Sequence, residues 1–503
     1  MRARRSTGLR QLITLSAGMA FVACSEPIAT GPSVDAVAPV SPSSSLGPAQ
    51  DGFIVITDRS SRFASARIGS RLSAIIPMQE GSAASEAVIA GKVPSINGLV
   101  IKGVANAAAL GLSGLAGVIP NYVHDLIDPA PSPANASLDA VAYTGEPAGT
   151  DQSSAASFAN NTQWGYKKIS ANRAWVPSKA GQGVKVCIVD SGIDPGHSAF
   201  TSNVAYPLGK VALMTSFVDP SGAGLDSNFH GSHVAGTIST NGNGFASVAS
   251  NAMLMTAKVF NAAGGGATTA VVLNAVAWCA DNGADVINMS LGFAGGVTIS
   301  GNQGFIAQYQ AGLDYATQRG VLIVAAAGND GVTLPVSGKI FLPAEAAGVV
   351  SVAATGPAVT PGAFGNNSTW QAPNANFDGI ASYSNRGPVP SVALSAPGGN
   401  RPTNAFPVQT LILSPCSRFY ATGSGSPCSS GTFGIFFAGT SMASPHVAGV
   451  AALIRGRFMA TPRSLALRNR VEACLFKSVD VVGPSNIFGR GRSNAYKAAT
   501  LPC

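Results

Sequence analysis

Three short segments combine residue types that could do chemistry together. The first is Val189-Asp190-Ser191-Gly192-Ile193-Asp194. Here a carboxylate closes an apolar run, and once buried it needs hydrogen bonds or a charged partner. Taken alone, Asp190 reads as a cap or a turn residue. The second is His230-Gly231-Ser232-His233-Val234-Ala235-Gly236-Thr237, two histidines three apart among residues small enough for close helix packing. A zinc site is not supported there, because no acidic residue lies between the histidines and no further ligand cluster follows. The third is Gly439-Thr440-Ser441-Met442-Ala443-Ser444-Pro445-His446. A glycine and small hydroxyl residues open a helix, and Pro445 is expected in its first turn. Ser441 then lies at the positive helix end, where negative charge is stabilised; the plain alternative is an N-cap serine. Carboxylate, imidazole and hydroxyl together are what an activated oxygen nucleophile requires.

Such groups need a frame. Apolar runs at 184–189, 285–291, 321–327 and 349–353 have strand length and little alternation, as in parallel strands buried on both faces. Between them, 268–282 reads as a helix ending at Gly283. Ile306, Tyr309, Leu313 and Ala316 lie at helical spacing and stop before Gly320, a C-terminal glycine signal. Strand–helix alternation predicts an α/β fold, a doubly wound and mostly parallel sheet with helices on both faces. In such sheets the chemistry gathers at the carboxyl ends of the strands.

The chain has 503 residues, 46% apolar and only 11% charged, with 59 glycines and a net charge of +8. It is long enough for a large core and more than one domain. Four arginines fall in the first ten residues and no basic stripe with interleaved aromatics appears later, which argues against nucleic-acid binding. Residues 1–24 have a basic start and an apolar run to Ala23 and read as a signal peptide. Phe21-Val22-Ala23-Cys24 also resembles a lipobox, so Cys24 is open to two readings, a lipidated anchor or an incidental cysteine. Six cysteines remain, and in an exported chain an even count points to disulfides. Cys416 with Cys428 and Cys474 with Cys503 are the expected pairs; Cys187 and Cys279 suit either a bond or buried thiols. Residues 25–50 form a Pro/Ser/Ala/Gly-rich linker. Residues 51–128 read as a small α+β unit with strands at 52–57 and 96–101 and helices near 62–72 and 104–115. A second linker occupies 129–160, and 161–503 carries the α/β pattern.

The three segments resemble the signature motifs of the subtilase family of serine peptidases, in the family's order of Asp, His and Ser. The resemblance spans about Gln163 to the C-terminus, and 51–128 resembles, more weakly, the family's inhibitory prodomain. It implies that Ser441 is the nucleophile, His230 the general base and Asp190 its orienting partner, while His197, His233 and His446 are structural. Ala326-Ala327-Gly328-Asn329 resembles the oxyanion segment, with Asn329 as side-chain donor. Gly264-Gly265-Gly266 and Ser290-Leu291-Gly292 resemble the two segments that flank an extended substrate, and Phe341 falls at the floor of the pocket for the residue before the cut. The resemblance implies a secreted or lipid-anchored endopeptidase of broad specificity acting as a monomer on proteins or peptides. Its own prodomain would inhibit it until self-cleavage within 129–160. No cofactor is implied for catalysis. A structural calcium is common in the family, but Ala199 stands at the expected carboxylate position. The insertion from Pro361 to Asn376 and the 416–428 loop depart from a minimal family member.

Overall fold

The computed structural model describes residues 50–56, 88–102, 117–126, 141–142, 149–219, 224–262, 265, 267–358, 376–400, 410–420, 428 and 431–503. The expected signal segment, both expected helices of the 51–128 unit, most of the two linkers and residues 361–375 of the insertion lie outside them.

The first described elements are β1 (Gln50–Ile56), β2 (Val88–Val93), β3 (Gly98–Lys102) and β4 (Gly117–Leu126). They pair antiparallel in the order β4-β1-β3-β2. The strand expected at 96–101 begins later, because Pro94–Ile96 form a 3-10 turn that Asn97 ends in the left-handed region at φ 50°. Asparagine tolerates that conformation better than most residues.

The main sheet is built from β5 (Lys185–Asp190), β6 (Val211–Ser216), β7 (Met253–Lys258), β8 (Val286–Met289), β9 (Leu322–Ala326), β10 (Val349–Ala358), β11 (Asn376–Ile380) and β12 (Leu394–Pro397). Its parallel strands run in the order β12-β10-β9-β8-β5-β7-β6, while β11 joins β10 antiparallel. The principal helices are α1 (His230–Ile238), α2 (Thr269–Asp281), α3 (Gln303–Thr317), α4 (Thr440–Gly456) and α5 (Leu465–Lys477). Alternate residues of one strand feed opposite faces. Val186 and Ile188 of β5 pack with Val234 and Ile238 of α1 and with α4. Cys187 and Val189 pack with Leu273 and Val276 of α2 and Leu313 of α3. Helices thus cover both faces, and the doubly wound sheet expected from the sequence is the fold.

From β5 the chain passes to the edge strand β6 and returns to β7 beside β5, then crosses to β8 and builds away on the other side. The order therefore reverses between β5 and β8, and that crevice is where such sheets collect ligands. Thr268 caps α2 by accepting from Val271 N at 3.3 Å, and the helix stops at Asn282, before the left-handed Gly283. Cys187 of β5 is bonded to Cys279 of α2, and Cys416–Cys428 and Cys474–Cys503 are also paired.

The β1–β4 sheet lays one face on α2 and α3. Ile54, which pairs with both Val100 and Ile119, shares a buried cluster with Leu273, Phe305 and Tyr309. Burying each such side chain contributes about 1.5–3 kcal/mol. Asn121 of β4 adds a polar tie, its Oδ1 accepting from Ala270 N in the first turn of α2 at 2.9 Å.

Candidate active site

Asp190 ends β5 and His230 begins α1, so both stand at the carboxyl edge of the sheet. Both are buried, and His230 Nδ1 lies 2.8 Å from Asp190 Oδ1. A carboxylate only accepts, so Nδ1 carries the hydrogen and the lone pair of the neutral ring sits on Nε2, ready to act as a base. The same Oδ1 accepts from Ser191 N at 2.7 Å.

What aligns the pair is a carboxylate the sequence reading passed over. Asp226 Oδ1 accepts from Ser191 Oγ at 2.8 Å, Asn228 N at 3.0 Å and Phe229 N at 2.9 Å, and its Oδ2 accepts from Ser232 N at 2.7 Å. It thus satisfies orphan donors at the start of α1 and ties them to the residue beside Asp190. Burial pushes its carboxyl up, against the pull of those hydrogen bonds. Ser191 Oγ also accepts from Gly231 N at 2.9 Å. This contact explains the glycine, since a Cβ at 231 would stand 2.0 Å from Gly192 O. Lys258, ending β7, closes the loop by donating to Ser191 O at 2.7 Å and Leu225 O at 3.0 Å.

Ser441 is the second residue of α4, which starts after Gly439. Its Oγ donates to Ser290 O at 3.3 Å. Pro445 lies deeper than expected, as the sixth helical residue rather than in the first turn. Its missing N–H leaves the carbonyl of Ser441 without the usual helical donor. Ser290 Oγ supplies one instead, at 3.0 Å. Asn288 of β8 donates to Ser290 Oγ at 2.9 Å and accepts from Ser444 Oγ at 2.7 Å. The helix that carries Ser441 is therefore pinned to the strand at the reversal point by a buried polar network.

Asn329 follows β9. Its Oδ1 accepts from Thr440 N at 3.0 Å and from Thr440 Oγ1 at 2.8 Å. Holding the oxygen fixes which way the amide faces, so Nδ2 is presented beside Gly439, where an added Cβ would stand 3.3 Å from it. A donor here, with the N–H groups of an α-helix start, suits an oxyanion.

A cavity of about 280 Å³ opens next to these groups, lined by Gly292, Ala326, Gly328, Asn329, Phe341 and Leu342 among others. Phe341 is one of its walls. Leu291 and Gly292 pair antiparallel with Leu126 and Asp125 of β4, and Ala267 and Thr268 pair with His124 and Val123. The described pairing of β4 with this segment falls at 267–268, next to the expected 264–266 run. Gly265 is exposed, and Gly264 and Gly266 lie outside the described residues.

The other histidines are built into the core. His197 Nε2 donates to Phe433 O at 2.7 Å, His233 Nε2 contacts Ile412 O at 3.0 Å, and His446 Nδ1 contacts Met442 O at 2.8 Å. Burial pushes their pKa values down to about 4, about 3 and about 4 respectively. At the position where a calcium-binding carboxylate is common in the family stands Ala199. It is fully buried, and the carbonyls of Ser198 and Thr201 accept from Asn241 Nδ2 at 2.7 and 2.9 Å. One amide N–H₂ therefore joins both carbonyls. Among the described residues no group of three or more His, Cys, Asp or Glu stands together.

Sequence reasoning missed Asp226, Asn288, Ser444 and Thr440. Two of them carried a signal: Asn288 is an amide inside an apolar strand run, and Asp226 is a carboxylate four residues before a helix start.

Comparison with known proteins agrees with this geometry. The model of the subtilase family, peptidase S8, matches residues 181–491. The chain is 32% identical over 346 residues to thermitase of Thermoactinomyces vulgaris, covering 68% of this chain and 97% of that enzyme. It is 31% identical over 343 residues to subtilisin DY of Bacillus licheniformis, covering 68% and 100%. Its fold is similar to the epidermin leader peptide processing serine protease of Staphylococcus aureus, with a TM-score of 0.64 at 18% identity over 90% of this chain and 99% of that one. Fervidolysin of Fervidobacterium pennivorans gives a TM-score of 0.62 at 22% identity, over 90% and 61%.

Proposed function

This chain belongs to the subtilase family and is a serine endopeptidase, and from that premise we propose that it is exported as a self-processing precursor acting through Asp190, His230 and Ser441. Ser441 Oγ attacks the peptide carbonyl while His230 Nε2 takes its proton. Asp190 holds the ring in the Nδ1–H tautomer and stabilises the imidazolium. Asn329 Nδ2 and the N–H of Ser441 donate to the oxyanion. His230 then returns the proton to the leaving amine, and water, activated by the same base, hydrolyses the acyl-enzyme. The single observation that carries this reading is the buried 2.8 Å Asp190–His230 bond at the sheet reversal, beside a serine at a helix start.

A substrate binds as an added strand, which recognises backbone rather than sequence and so gives breadth. Leu291–Gly292 forms one rail and the segment ending at Ala267–Thr268 the other. β4 lies on both rails in the way a substrate would, and this supports reading residues 51–128 as an inhibitory prodomain. The cavity starts where β4 ends, lined by Asp125 and Leu126 themselves, so the self-cleavage belongs close behind Leu126. Phe341 makes that cavity shallow and favours a medium-sized apolar residue before the cut. No cofactor takes part in these steps, which use only Asp190, His230, Ser441 and Asn329.

Labelling with a serine-directed fluorophosphonate tests the proposal. Wild-type enzyme labels at Ser441, and Ser441→Ala and His230→Ala do not. Equal labelling of the Ser441→Ala variant overturns the assignment.

A further inference from the structure

We infer that Tyr309, with Phe293 and the carbonyl of Ala267, makes a subsite selective for histidine, so that this endopeptidase prefers substrates carrying histidine where β4 carries His124. The inference rests on the proposal that β4 occupies the substrate cleft.

His124 is the β4 residue paired with Ala267, two positions before the residue paired with Leu291. Its side chain is fully buried. The ring lies against Phe293, with centroids 4.1 Å apart and planes at 32°. Nδ1 is 3.0 Å from Ala267 O. A carbonyl only accepts, so Nδ1 carries the hydrogen, and Nε2 accepts from Tyr309 Oη at 2.9 Å. Both ring nitrogens are therefore matched, one by the rail strand and one by α3. Burial holds the imidazole down to about 3, outweighing the Ala267 bond, so the bound ring is neutral. Of the titratable groups flanking it on β4, Tyr122 donates to Asn302 Oδ1 at 3.1 Å and Asp125 Oδ2 accepts from Ala294 N at 3.4 Å.

The pocket is assembled from residues that stay with the enzyme when β4 leaves. Phe293 and the Ala267 carbonyl lie on the substrate rails, and Tyr309 projects from α3. An apolar side chain here fills the space but leaves the Tyr309 hydroxyl and the Ala267 carbonyl unmatched. A site built to hydrogen-bond its ligand discriminates against such an analogue more strongly than a greasy pocket discriminates by size. A protonated histidine also fits badly, because it adds a second donor and a charge to an enclosed site. Nothing in the backbone pairing reads sequence, so this pocket adds selectivity to an otherwise tolerant cleft.

The test uses processed enzyme and quenched peptides spanning residues 121–131 of this chain, varied only at the position of His124 as His, Gln, Phe or Leu, with cut sites mapped by mass. The inference predicts that at pH 8 the His peptide is cut with kcat/KM about tenfold above the Leu peptide. That advantage shrinks below about pH 6.5, where free histidine protonates, while the Phe-to-Leu ratio does not move. Tyr309→Phe brings the His-to-Leu ratio near one. Wild-type enzyme that cuts all four peptides equally while digesting denatured casein overturns the histidine pocket and leaves the endopeptidase standing. Failure to cut peptides and casein alike overturns the underlying proposal instead. The wild-type ratios stand without any variant, so a misfolded Tyr309→Phe does not rescue the idea.

Discussion

Acid should unfold this enzyme well before its carboxylates titrate. His197, His233 and His446 are fully buried with a ring nitrogen committed to a backbone carbonyl, and their pKa values are pushed down to about 4, 3 and 4. In the unfolded chain each takes a proton near pH 6.5. Between these values the unfolded state binds more protons than the native state, so stability rises with pH across the window and is lost as pH falls. From pH 6.5 to 5 each histidine forfeits about 1.6 kcal/mol, and the three together about 5 kcal/mol. That is of the order of a domain's whole net stability. Asp226, pushed up by burial, works in the opposite sense as it protonates. Asp194 is desolvated too, but the hydrogen bonds and charge of Arg418 hold it below the ordinary carboxylate value, so its contribution is lost only under about pH 4. Urea unfolding of phosphonate-inactivated mature enzyme at pH 7, 6 and 5 is the assay. A midpoint that falls steeply below pH 6.5 is expected; a flat profile from pH 7 to 5 refutes the burial argument.

Other expectations follow from the site. Asn329→Ala should lower kcat roughly a hundred- to thousandfold with little change in KM, the range found for such a donor in a subtilisin, and steady-state kinetics will show it. Phe341→Ala should deepen the pocket and move preference from Leu toward Phe before the cut by about tenfold or more, read from paired peptides. Excess EDTA should leave the melting temperature unchanged, because Ala199 stands at the position of the family's calcium-binding carboxylate; a drop of several degrees, reversed by calcium, would show a cation site.

Much of the frame was legible because its elements announce themselves locally. The runs at 184–189 and 321–327 became β5 and β9 with shifted ends, since a strand buried on both faces has no polar alternation to blur it. Helix α2 was delimited by Thr268 and Gly283, which act through chemistry within one turn. Asp190, His230, Ser441 and Asn329 were picked from motifs, and the fold brings all four to one edge of the sheet. What stayed hidden depends on distant pairing. The β4 register against 267–268 and 291–292 joins residues more than a hundred positions apart, and no local pattern records it. The Cys187–Cys279 bond needs to know that the odd face of β5 meets α2. Pro445 misled because its usual first-turn rule assumes an unassisted helix, whereas Ser290 satisfies the carbonyl it frees.

Intact mass of purified full-length chain over time, for wild type and Ser441→Ala side by side, tests the central claim most directly. The account predicts that wild type loses its N-terminal segment to a new end close behind Leu126, while Ser441→Ala stays whole. Identical cleavage of both chains, or of neither, would contradict self-processing by Ser441.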